Sequence, residues 1–72
     1  METNEQTKEQ ISYFKNNKIK VHIEKNNTRF YNGLILEFTG DMLILNDEVL
    51  GAIPIMLIEI KFIEKRRDKE NG

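Results

Sequence analysis

Cysteine is absent from the chain, which excludes disulfides and thiolate zinc sites and leaves the redox compartment open. A single histidine excludes a histidine-rich metal centre within one copy. Neither charge dominates: 11 Lys and Arg stand against 12 Asp and Glu, for a formal net charge of −1. That balance argues against a strong non-specific DNA binder but permits a local basic patch. The longest apolar run, AIPIMLIEI, falls far short of the roughly 18–20 residues that cross a bilayer. The opening METNEQTKEQ lacks the basic-then-apolar layout of a secretory leader. A cytoplasmic protein away from the membrane is expected. At 72 residues the chain makes one small domain, of a size often supported by partner subunits.

What is present divides at residue 18. Before it, Thr3 with Gln6 and Thr7 with Gln10 fit the capping-box spacing, and Ile11 and Phe14 fall one helical step apart. A helix over about 3–17 is predicted, ended by Asn16 and Asn17. Such a helix is marginal alone and must dock. From Lys18 the period becomes two: Ile19, Val21 and Ile23 alternate with Lys20, His22 and Glu24. KNNT offers a turn in which Asn26 and Asn27 take positive φ at low cost.

The segment RFYNGLILEF (29–38) poses the main question of chain direction. Asn32–Gly33 is a strong hairpin signal, yet a turn there would follow the first within six residues. One long strand that bends at an interior Gly33 is the better reading, since a glycine inside a strand marks a bulge, a sharp bend or the close approach of another backbone. Alternation then places Phe30, Leu34, Leu36 and Phe38 on one face as core, with Tyr31 and Ile35 on the other. TGD turns the chain, MLILN forms a third strand and VLGAIP (49–54) a fourth. IML is the length of one 3₁₀ turn, and IEIKFIE (58–64) makes a fifth strand with Ile58, Ile60 and Phe62 alternating. Pro54 cannot donate to a ladder and belongs near a strand end. The expected fold is mainly all-β: a strongly bent, five-stranded antiparallel small barrel with a short N-terminal α-helix. It occupies residues 1–64, and 65–72 form a charged, flexible tail.

NGLILEF, with Gly33, Ile35 and Phe38, followed by MLILND and by VLGAIPIMLIEI with Gly51, resembles the two motifs of the Sm-like family, small SH3-like barrels that include the Lsm proteins and bacterial Hfq. The resemblance covers roughly residues 11–64. It implies a homohexameric or homoheptameric ring in which the fourth strand of one subunit pairs with the fifth of the next. It also implies RNA binding or RNA-chaperone activity within a ribonucleoprotein. Gly33 and Gly51 would then be structural. The family's base-gripping residues are changed, however. The usual aspartate is Thr39, the asparagine after Met42 is missing, the arginine is Leu50, and the Lys-His pair of Hfq aligns with Ile55 and Met56.

Catalysis finds little support. His22 reads as a solvated surface residue between Lys20 and Glu24, and Asp41, Asp47 and Glu48 as turn residues making local hydrogen bonds. Neither a metal nor a cofactor is expected. For RNA, the candidates are backbone contacts from Lys61, Lys65, Arg66 and Arg67, with Tyr31 and the loop residues Thr39, Asp41 and Met42 as lesser ones. Two alternatives stand beside this one. The first is a protein-interaction module on the same ring, with Leu50, Ile55 and Met56 lining the contact. The second is a monomeric barrel associated with the ribosome.

Overall fold

The computed structural model describes residues 5–67. Helix α1 (Glu5–Asn16) is followed by β1 (Val21–Lys25), β2 (Phe30–Phe38), β3 (Met42–Asp47), β4 (Gly51–Met56), a 3₁₀ turn (Leu57–Glu59) and β5 (Ile60–Lys65). The strands form one antiparallel sheet in the order β4-β3-β2-β1-β5. It is a five-stranded small barrel, mainly β, with a short N-terminal helix.

Helix α1 buries Ile11 and Phe14, the pair that its sequence spacing singled out. Thr3 lies outside the described residues, and Thr7 sits within the helix. The helix ends in two nested hydrogen bonds, Lys18 N–H to the Lys15 carbonyl (3.2 Å) and Ile19 N–H to the Phe14 carbonyl (3.0 Å). Lys18 takes φ 53° between them. This is the Schellman arrangement, in which a left-handed residue satisfies the last carbonyls. Ile19 then packs on the core that Phe14 joins.

The chain runs straight through Asn32–Gly33. Gly33 pairs with Val21 of β1 and with Asp47 of β3, so β2 is one strand shared between two neighbours. The pairing irregularity lies further on, between Ile35 and Glu37. What Gly33 provides is close approach, since a Cβ built there would stand 1.9 Å from the Asn46 carbonyl oxygen.

Which face of β2 is buried differs from the expectation. Ile35 is in the core and Tyr31 packs against it, whereas Phe30 is 61 % exposed and Leu36 is exposed as well. The reason is turn length. A two-residue turn at Asn26–Asn27 would set Phe30 opposite Ile23, facing the core. The hairpin instead closes with three residues, Lys25 N–H donating to the Arg29 carbonyl at 2.7 Å, and the positive φ of 70° falls on Thr28 rather than on either asparagine. One added residue flips every side chain of the following strand. Phe30 accordingly faces Glu24, and Tyr31 faces Ile23. Phe38 still reaches the core because the bulge after Ile35 reverses the phase again.

The later strands are displaced in the same manner. Val49 and Leu50 belong to the turn before β4, with Val49 88 % exposed. Pro54 lies within β4 rather than at its end, which an edge strand tolerates because one side of its backbone is unpaired. Ile58 is 76 % exposed on the 3₁₀ turn. A register shift opposite Glu24–Lys25 makes Ile60 and Ile63 the buried pair of β5, leaving Phe62 outside. Lys65 ends β5, and the Arg66 N–H donates to the Lys20 carbonyl at 2.9 Å, so the expected tail begins as ordered backbone. Residues 68–72 lie outside the described residues.

Two hydrogen bonds tie the 3₁₀ turn across the sheet, from Leu57 N–H to the Asp41 carbonyl and from Asn26 N–H to the Glu59 carbonyl, both 2.9 Å. Strands β4 and β5 stand at opposite ends of the strand order and do not pair with each other within the chain.

Candidate nucleic-acid interface

Residues that alternate outward on β1, β2 and β5 meet on one face. His22 stands opposite Asn32 on one side and Glu64 on the other. Its ring lies between two aromatics, with centroids 5.5 Å from Phe30 and 5.9 Å from Phe62, tilted at 39° and 38°. Such spacing is that of packed aromatic pairs. His22 Nδ1 lies 2.8 Å from Asn32 Oδ1; an amide oxygen only accepts, so this contact assigns the imidazole proton to Nδ1. The expected solvated histidine is instead half-buried.

Beside this cluster lies an open cavity of about 330 Å³ lined by His22, Asn32, Glu64, Arg66 and Arg67. Arg66 Nη1 donates to Glu48 Oε2 at 2.8 Å, and Lys20 Nζ lies 3.5 Å from the same oxygen. Glu48 comes from the β3–β4 turn, so this ion group joins that turn to both β1 and the end of β5. Lys61 Nζ pairs with Glu24 Oε2 at 3.8 Å on the same face. Pairs this exposed add little stability, and their arginines and lysines keep charge near solvent.

The Glu48 turn is shaped by Asp47, which is 8 % exposed. Its carboxylate accepts the N–H groups of Asn32 (3.0 Å), Val49 (2.9 Å) and Leu50 (2.9 Å). Burial alone pushes this carboxyl up. The bonds from Leu50, Val49 and Asn32 outweigh it and hold Asp47 below the ordinary carboxylate value.

Of the residues proposed from the sequence, Arg66 and Arg67 come together at the cavity, Lys61 lies along the same face, and Lys65 closes β5. Tyr31 packs instead on the inner side, with Lys25 Nζ 5.9 Å from its ring centroid. Thr39, Asp41 and Met42 form the turn at the other end of β2, closed by Thr39 N–H to the Met42 carbonyl at 2.9 Å. Gly51 opens β4 with φ 83°. Ile55 is core, so of the three apolar replacements only Leu50 and Met56 remain at the surface. His22, Phe30, Asn32 and Phe62 were missed, and the hairpin register was the signal that could have found them. Once Asn32 is set opposite His22, Phe30 follows onto the outer face. Among the described residues no cluster of His, Asp or Glu could hold a metal ion, and no helix is long and apolar enough to cross a membrane.

No protein-family model matches the chain, and no curated protein matches it. Among solved structures it is similar to Hfq, described as a pleiotropic translational regulator, with a TM-score of 0.73 and 21 % identity over 79 % of this chain and 93 % of that one. At that identity the likeness speaks to architecture, and the chain has an Sm-like fold.

Proposed function

We propose that this protein is a non-enzymatic, cytoplasmic RNA-binding scaffold that assembles as a homo-oligomeric ring of six or seven copies. The observation that carries the reading is the outer face of β1, β2 and β5, where the Phe30–His22–Phe62 cluster adjoins Arg66 and Arg67. Aromatic platforms with adjacent cations are how proteins hold single-stranded nucleic acid without reading much sequence. The unpaired edges of β4 and β5 support the ring, because pairing one subunit's β4 with the next subunit's β5 would leave no edge free. A ring would also repeat the face, so that weak contacts sum along one RNA strand. Lys61, Lys65, Arg66 and Arg67 would contact phosphates, with Tyr31 and the Thr39–Met42 turn contributing less.

A second reading, a protein-interaction module on the same ring, is favoured by the exposure of Val49, Leu50, Met56 and Ile58. Sedimentation velocity and fluorescence binding to U-rich, A-rich and mixed RNA at two salt concentrations separate the readings. Ring-sized particles with salt-steep binding of all three RNAs support the scaffold. A ring that binds no RNA at low salt leaves the interaction module, and a monomer removes the ring.

A further inference from the structure

The arrangement around His22 goes beyond a stacking surface. Its Nδ1 is committed to Asn32, so in the neutral ring Nε2 is an acceptor, of no use to a phosphate. Protonation turns Nε2 into a donor and places a cation whose ring centroid lies 5.5 and 5.9 Å from those of two phenyl rings, within the range of cation–aromatic attraction. It does so at the wall of a cavity that already holds two arginines. Histidine is the side chain whose charge ordinarily changes between about pH 5 and 8.

We propose that this cavity is a proton-linked phosphodiester site, in which the imidazolium of His22 joins Arg66 and Arg67 in holding a phosphate of single-stranded RNA. The inference rests on the RNA reading above and adds its regulation. The charged groups around His22 set the balance. Lys20, just before β1, and Glu24, on β1, flank it; Glu24 is paired with Lys61, and Lys20 shares Glu48 with Arg66. The neighbouring outward residues of β2, Phe30, Asn32 and Leu34, carry no ionisable group. From β5, Glu64 stands directly opposite, and Arg66 and Arg67 follow it. With His22 neutral, Glu64 repels a phosphate and offsets much of the arginine charge. With His22 charged, Glu64 is answered across the strand pair, and Arg66, still bonded to Glu48, and Arg67 add their charge to that of the imidazolium at the cavity.

The test uses the full chain and labelled oligouridine, whose bases do not titrate in this range, with fluorescence anisotropy read at about pH 8 and about pH 5.5. The wild type is expected to bind roughly tenfold more tightly at the lower pH, the scale of one added charge-assisted hydrogen bond. His22→Gln keeps a side chain that can bond Asn32 but cannot charge, and is expected to bind equally at both. Wild-type affinity that ignores pH, or a His22→Gln variant that keeps the full pH response, overturns the proposal and leaves RNA binding standing. The ring resonances of this sole histidine, followed by NMR with inorganic sulfate, give a second readout. A sulfate-induced shift at acid pH without RNA binding at any pH would overturn the RNA reading and with it the phosphodiester assignment, leaving only a proton-linked anion site. No shift and no RNA binding would remove both.

Discussion

Gly33 lies against the backbone of Asn46 so closely that a methyl group at position 33 would stand 1.9 Å from the Asn46 carbonyl oxygen and 2.7 Å from its carbon. The obstacle is main chain on a paired strand and cannot rotate aside. Gly33→Ala is therefore expected to destabilise the fold by about 3 kcal/mol or more, at the upper end of overpacking penalties. Gly40→Ala, where a Cβ meets open space and only the φ of 103° resists, should cost about 1–2 kcal/mol. Urea unfolding of the two variants tests the ranking, and equal losses would remove the close-approach explanation.

Lys18 and Thr28 make the opposite prediction. Both hold positive φ, at 53° and 70°, without being glycine. Replacing either with Gly removes a left-handed penalty, offset in part by greater freedom of the unfolded chain. Lys18→Gly and Thr28→Gly are each expected to stabilise by about 0.5–1 kcal/mol, read as a higher denaturation midpoint with an unchanged slope.

Asp47 links stability to acid. Its carboxyl is held below the ordinary 3.8 in the folded chain. The native state therefore takes up its proton less readily than the unfolded state does. Its contribution is complete above that ordinary value and is lost as pH falls through the lower, folded one. Asp47→Asn sets an amide NH₂ toward N–H donors and should cost about 2 kcal/mol at neutral pH. The variant should also lose part of the acid-induced decline, which thermal melts across an acidic pH series would reveal.

On the outer face, charge and stacking are expected to separate. Arg67→Gln should weaken binding of all RNAs alike and flatten the salt dependence. Phe30→Ala should weaken binding by about 1–3 kcal/mol and leave that slope unchanged. Because Phe30 is 61 % exposed, its loss should alter stability little. Anisotropy titrations at several salt concentrations distinguish the two, and a Phe30 variant with wild-type affinity would remove the stacking role.

Local pattern was enough to determine much of this protein. Ile11 and Phe14 share a helix face because they lie one turn apart, and Val21 and Ile23 face inward because strand side chains alternate. The continuity of the strand through Asn32–Gly33 was also legible, since KNNT already supplied the turn. Which face of that strand is buried was decided only by the tertiary structure. LIL and MLIL are apolar in both phases, so alternation fits two registers equally well. A third turn residue at Thr28 chose between them, and the bulges after Ile35 and opposite Glu24 then reversed the phase for Phe38 and Phe62. The candidate site depends on that choice. His22 is 8 residues from Phe30 and 40 from Phe62 in the chain, and strand pairing alone brings their rings together. Contacts set by register leave no mark on local periodicity, and so the outer face became visible only when the sheet was assembled.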